Sequence, residues 1–436
     1  MTQDKPLTER GEPRRKLARD EETSPGFWGS LGPGIVTGAA DDDPSGIATY
    51  SIAGAQFGGL FLWTAFATWP LMAAVQTMCA RVGMVTGQGL MSALRMRFPR
   101  RVLVVAAAAL FIANTLNVGS DLSGMADAAE MLTGVSSHLY VIVFAILLGW
   151  ATIRVPYAAI ARILKWLALV LSAYVIAAFA VHPNWPGVLA VTFTPRIPAS
   201  RDGWATIVAI LGTTISPYLF FWQTSNEVEN EKSMGRRRVE DRKGASKFEI
   251  RRRKLDVGIG TFASNLAMYF IILTTSLTLH AHGITHIDTS RQVAEALQPL
   301  AGRFAALLYT IGLIGTGALA IPTLTGSAAY ALAEVFDWKE GLAEKPRDAA
   351  AFYGVVAVSM GFAVILDYAN VNAVAALYWT AVLNGLLAPF LLVGILMVAT
   401  NRQIMNDQPS SVLGRTVVGV TAAAMFAAAI GVFFAP

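Results

Sequence analysis

Apolar stretches of roughly 20 residues dominate this chain, at 28–55, 58–80, 102–131, 138–160, 163–182, 204–229, 256–281, 303–334, 350–366, 371–399 and 413–434. A bilayer interior offers no water to backbone amides and carbonyls, so such segments are confined to helices that satisfy their own hydrogen bonds. Composition agrees, with 54% hydrophobic and 14% charged residues; a soluble domain carries about 25% charged. The expected fold class is an all-α membrane protein of eleven spans, with a cytoplasmic N-terminus and, by odd parity, an external C-terminus. The polar tail 1–26 has no apolar core, which predicts no cleavable secretory signal. Cys79 is the only cysteine, so neither a disulfide nor a thiolate cage can form within one chain.

The basic residues support that topology. Of 34 Lys and Arg, 30 fall in the tail or in segments assigned to the cytoplasmic side, and only Arg196, Arg201, Arg291 and Arg303 fall outside. Cytoplasmic segments carry this excess by the positive-inside rule. The densest segment, EKSMGRRRVEDRKGASKFEIRRRKLD, joins the sixth and seventh spans. Its mixed acids, glycine and serine read as a solvated, partly helical connector touching lipid headgroups. A loop tethered against a bilayer is a poor nucleic-acid site.

The first span contains DDDPSG and the sixth LGTTISPYLFFW. An aspartate at a helix centre costs roughly 2.5–3.5 kcal/mol, and a proline removes a backbone donor. These spans open successive groups of five. Because five is odd, the second group enters the membrane from the opposite side. Breaks at matching positions of inverted halves point to a midplane binding site in a secondary transporter, where unwound carbonyls can hold a cation. The expected division is a tail at 1–26, a first repeat at 27–182, an inverted repeat at 204–399 and an added span at 413–434. SPY alone equally describes an ordinary proline kink. DDDPSG does not, since a kink needs no carboxylates. Asp43, directly before Pro44, is the leading candidate. Asp41 and Asp42 are expected in the vestibule or on a solvated side. The five histidines (His138, His182, His280, His282 and His286) fall in or beside external loops, where scattered interfacial residues explain them better than a metal cluster.

Together these stretches resemble the Nramp divalent-metal transporters over nearly the whole chain. LGPGIVTGAADDDPSG is similar to that family's first helix, whose pattern is Asp-Pro-Gly-Asn, and LGTTISPY to its sixth-helix Ala-Thr-Val-Met-Pro-His. CARVGMVTGQGL, DVGIGTFASNLAMYFII and TIGLIGTGALAIPTLTGSAAYALAE resemble its second, seventh and eighth helices, in the same order. The resemblance implies a LeuT-type 5+5 inverted repeat with one extra C-terminal helix, in a prokaryotic inner membrane, with no enzymatic activity. It implies divalent cations as substrate, no cofactor and no nucleic-acid partner; oligomeric state is not legible, a monomer being favoured.

The departures from the family pattern narrow the substrate. Ser45 and Gly46 replace the glycine and asparagine, and Thr213, Ser216 and Tyr218 replace the alanine, methionine and histidine. A thioether suits later transition metals, whereas Ser216 offers a hard oxygen and Gly46 removes an amide ligand. Mg²⁺ dehydrates reluctantly and keeps several waters. The pattern resembles the Nramp-related magnesium branch. It implies alternating-access import of partly hydrated Mg²⁺, with Mn²⁺ accepted, near Asp43, the Thr213 carbonyl, Ser216 and the Ala40 carbonyl. The family's tenth-helix glutamine aligns loosely at Thr380 or Ala381. Tyr218 in place of histidine, and no basic residue in AFYGVVAVSMGFAVIL, imply transport without protons; Asp121 matches a family acid but lacks its basic partner. The alternatives are a proton-coupled Mn²⁺/Fe²⁺ carrier, an amino-acid carrier (which three aspartates would repel) and an intramembrane aspartyl protease. The last would pair Asp43 with Asp121 or Asp367.

Overall fold

The structure, a computed structural model, describes residues 37, 38, 40–155, 169–369 and 372–435. The expected tail, the start of the first span, the junction of the fourth and fifth spans and the start of the tenth lie outside the described residues. The described chain is helical, with α1 (Pro44–Phe57), α2 (Leu62–Thr86), α3 (Arg100–Thr133), α4 (Ser137–Arg154) and α5 (Ser172–Ala180). These are followed by α6 (Arg201–Thr214), α7 (Pro217–Ser233), α8 (Lys247–Thr278) and α9 (Ala305–Phe336). The last three are α10 (Ala350–Asp367), α11 (Ala373–Thr400) and α12 (Val412–Phe434).

Nine helical runs among the described residues are long and apolar enough to cross a membrane, where the sequence predicts eleven spans. The difference has a local cause. A 3₁₀ turn at Gly58–Phe61 joins α1 to α2, so two expected spans form one run, Pro44–Thr86. Among the described residues the fifth span is represented by a 3₁₀ turn at Leu169–Leu171 and the nine-residue α5.

The site's surroundings come from tight packing about α1. It lies against α8, α11, α6 and α3, while α3 packs along α9. The α6–α11 contact is closest: a Cβ on Gly212 would stand 2.0 Å from the Ala381 carbonyl oxygen, and one on Gly385 2.2 Å from that of Val208. Small residues let membrane helices meet backbone to backbone. Only glycine fits at either position.

The basic connector is largely exposed and partly helical, as the sequence suggests. Part of it is also docked against the C-terminal end of α2. Arg242 is 5% exposed. It donates from Nε to the Gly87 carbonyl at 3.0 Å and from Nη1 to the Arg237 carbonyl at 2.7 Å. Gly244 N–H reaches the Val85 carbonyl at 2.9 Å, and Ala245 N–H the Gln408 side chain at 3.1 Å. The terminal carbonyls of α2 have no donor within their own helix, and the connector supplies one. A capping box between Ser246 and Glu249 then starts α8.

Candidate functional site

Both predicted breaks are present. Residues 40 and 41 are helical, Asp42 and Asp43 are not, and Pro44 begins α1. Asp43 is the N-cap of α1, extended at φ −76° and ψ 169°. Its Oδ1 accepts the Gly46 N–H at 2.7 Å and the Ser45 hydroxyl at 2.7 Å. Proline at the first helical position suits such a start, since its missing N–H is not needed there. In the second half α6 stops at Thr214, Ile215 and Ser216 leave helical geometry, and Pro217 begins α7. SPY is therefore a chain break and not a kink.

The two breaks meet. Tyr218 donates its hydroxyl to the Ala40 carbonyl at 3.0 Å, and the Thr213 hydroxyl donates to the Tyr50 hydroxyl oxygen at 2.8 Å. The Ser216 hydroxyl lies 2.7 Å from the Gly212 carbonyl oxygen and 2.5 Å from that of Thr213. Ala40, Asp43, Ser45, Thr213, Ser216 and Tyr218 are all buried, and so is Gly46.

Asp121 joins them through a residue that the sequence reading missed. The Asn117 amide lies 3.2 Å from Asp43 Oδ2 and 3.1 Å from Asp121 Oδ2, and its carbonyl oxygen accepts from Asn384 at 3.1 Å. Asn114, Asn117 and Asp121 form a polar stripe on one face of α3, a pattern visible in the sequence. Thr380 does not take part: its hydroxyl bonds the Leu377 carbonyl of its own helix at 2.9 Å. The tenth-span residue that reaches the site is Asn384, one turn further on, not Thr380 or Ala381.

Asp41 and Asp42 are neither in an open vestibule nor solvated. They are 0% and 7% exposed. Both face Ser264 on α8, whose single hydroxyl lies 2.6 Å from Asp41 Oδ2 and 3.0 Å from Asp42 Oδ1. The break turns these carboxylates onto α8. Asp41 Oδ1, Asp121 Oδ1 and Asn384 Oδ1 are buried without a hydrogen-bond partner among the described residues.

Four carboxylates are thus gathered in a buried region, and among the described residues no Lys, Arg or His forms an ion pair with any of them. Such a region favours a cation. Among the described residues no three His, Cys, Asp or Glu side chains converge as a metal cage. The oxygens available at the breaks are carboxylate, hydroxyl, amide and backbone carbonyl, which are hard donors.

The remaining charged side chains lie elsewhere. Arg253 on α8 bridges Glu227 of α7 and Asp256, each at 2.6 Å. His138 pairs with Asp367 at 2.6 Å, and Ser123 donates to the same carboxylate at 2.8 Å. Nδ1 of His280 lies 2.7 Å from the Ala55 carbonyl oxygen, while His286 is exposed.

A family model described as "Natural resistance-associated macrophage protein-like" (Nramp) matches residues 34–435. A relative from Yersinia pestis, named "Divalent metal cation transporter MntH", is 28% identical over 411 residues, covering 89% of this chain and 91% of the relative. The structure of a manganese transporter of Eremococcus coleocola superposes with a TM-score of 0.75 at 17% identity, covering 93% of this chain and 87% of that one. The inward-facing structure of Mhp1 superposes with a TM-score of 0.54 at 14% identity, covering 93% and 90%. These likenesses show the LeuT-type fold.

Proposed function

Because the chain belongs to the Nramp family of divalent-metal transporters, we propose that it imports Mg²⁺, and Mn²⁺ beside it, in partly hydrated form by alternating access. One observation carries this reading: Asp43 sits at the break of the first helix, its carboxylate held by the Ser45 hydroxyl, the Gly46 N–H and the Asn117 amide. A hard cation that keeps several waters fits such a set. Ser45, Gly46, Thr213, Ser216 and the Ala40 carbonyl line the proposed site around the hydrated ion, with Tyr218 and Asp121 beside it. Membrane potential suffices as the driving force. Moving a double charge through 100 mV yields about 4.6 kcal/mol, enough for accumulation on the order of a thousandfold. The protease and amino-acid readings are set aside, since the family carries divalent metals.

A second reading, a proton-coupled Mn²⁺/Fe²⁺ carrier, has its own support. Asn117 links Asp43 to Asp121, a buried carboxyl that can take a proton near the ion. The similar proteins are also described as a divalent metal cation transporter and a manganese transporter. Uptake of Mg²⁺, Mn²⁺ and Fe²⁺ into proteoliposomes separates the two readings. Mg²⁺ influx abolished by Asp43→Ala, in a variant that still inserts and folds, supports the first. Influx of Mn²⁺ and Fe²⁺ without Mg²⁺ supports the second. Near-normal transport by the folded variant refutes both site assignments.

A further inference from the structure

The two breaks share a spacing that explains which oxygens are free. In an α-helix the carbonyl of residue i accepts from the N–H of residue i+4, and proline has none. Pro44 lies four residues after Ala40, and Pro217 four after Thr213. Neither proline can donate to the carbonyl four residues before it, and these are two of the backbone oxygens that line the proposed site. Neither oxygen is left unpaired. The Tyr218 hydroxyl meets the Ala40 carbonyl at 3.0 Å, and the Ser216 hydroxyl meets the Thr213 carbonyl at 2.5 Å. Both caps come from one three-residue segment, Ser216–Pro217–Tyr218, at the start of α7.

We propose that Ser216 and Tyr218 are specificity-determining positioning residues: their hydroxyls occupy the two carbonyls that the prolines cannot serve and so keep those oxygens out of the ion's inner shell. The inference rests on the Asp43 reading and names what that site selects. A divalent cation beside Asp43 then meets one carboxylate and retains its waters where the carbonyls would otherwise replace them. An ion that loses water easily gains nothing from doing so. Mg²⁺, which holds its shell tightly, is not penalised. Neither hydroxyl is itself a ligand in this account.

The test uses Mn²⁺ as the probe on the purified full-length protein. Inner-sphere water is counted from water-proton relaxation of the bound ion, and Mn²⁺ and Mg²⁺ affinities are measured by calorimetry. Tyr218→Phe removes the hydroxyl from the Ala40 carbonyl, and Ser216→Ala removes the one shared by the Gly212 and Thr213 carbonyls, while nearly preserving volume. Each is expected to lower the bound ion's water count by one. Each is also expected to raise the preference for Mn²⁺ over Mg²⁺ by about tenfold, because Mg²⁺ gives up water reluctantly. The double variant should show both losses, and either single variant suffices if the double variant does not fold. Wild-type water counts and ion preference in both single variants would overturn the proposal. So would loss of Mn²⁺ binding in folded single variants, which would make the hydroxyls ligands. Asp43→Ala serves as the control. If it binds Mn²⁺ as tightly as wild type, the failure lies in the Asp43 reading and not in the caps.

Discussion

Asn384 on α11 donates its side-chain amide to the Asn117 carbonyl oxygen at 3.1 Å. Asn117 in turn stands between two carboxylates, Asp43 and Asp121. One amide thus ties the cap of the broken first helix to α3 and α11. Asn117→Leu removes a hydrogen-bond donor shared by the buried carboxylates of Asp43 and Asp121. A stability loss of about 1–3 kcal/mol is expected for leaving such groups unpaired. Mg²⁺ uptake should fall roughly tenfold or more, the equivalent of about 1.4 kcal/mol in orienting Asp43. Asn384→Ala should cost less, because it deletes one hydrogen bond and leaves the carboxylates paired. Melting temperature and initial uptake rate, measured on both variants, check the order.

Selectivity is expected to shift when the two family ligands are restored. A Cβ on Gly46 would meet its nearest atoms, Asp43 Oδ1 and a Tyr50 ring carbon, at 3.4 Å, an ordinary contact distance. Gly46→Asn combined with Ser216→Met adds an amide oxygen and a thioether. Cd²⁺ affinity should rise while Mg²⁺ flux falls. Unchanged Mg²⁺ flux with no gain in Cd²⁺ binding would refute the assigned roles.

Asp41 and Asp42 share a single hydroxyl donor, Ser264. Like charges held together in a buried region repel. Asp42→Asn removes one charge and supplies a donor next to Asp41, whose Oδ1 has no partner among the described residues. The variant should melt a few degrees higher in metal-free detergent. It should transport Mg²⁺ more slowly than wild type and faster than Asp43→Ala. A lower melting temperature would contradict the repulsion argument.

Arg253 is flanked by Glu227 and Asp256, whose side chains are 1% and 3% exposed. Removing one member of a buried ionic group leaves uncompensated charge, at a cost of about 3–5 kcal/mol. Arg253→Ala should be that destabilised, whereas replacing all three by apolar residues of similar volume should recover most of the loss. Thermal unfolding of the two variants decides it.

Coupling is the remaining expectation. The apolar α10 carries no basic residue, and Tyr218 stands where the family has histidine. Asp121 bonds Asn117, and among the described residues no Lys, Arg or His pairs with it. Mg²⁺ influx should carry net charge, respond to an inside-negative potassium-diffusion potential and leave a trapped pH dye unchanged. Acidification in proportion to metal entry would favour the proton-coupled carrier.

The sequence made the breaks legible because a proline and carboxylates inside an apolar span have a cost that only a special backbone explains. It was less informative about direction. Three consecutive acids read as partly solvent-facing under helical rotation, but the chain leaves the helix at Asp42 and turns all three inward. Asn384 was missed because the family's glutamine was placed at Thr380, one turn away, and a lone amide hardly alters hydropathy. The connector's charge suggested solvent exposure. One arginine among eleven basic residues of the 232–254 segment faces the unpaired end of α2, and only the three-dimensional arrangement singles out Arg242.

The glycine contact between α6 and α11 bears on how the two halves can move. Where backbone meets backbone at Gly212 and Gly385, neither residue has a side chain to interlock with the other helix. Pulling the helices apart would open a void along the contact and forfeit its dispersion energy. α6 is thereby held to α11, while α7 is joined to it only through the non-helical Ile215 and Ser216. Rotation of α7 about those two residues can leave the helical ladder of α6 in place, but only by giving up the hydroxyl contacts of Ser216 with the Gly212 and Thr213 carbonyls.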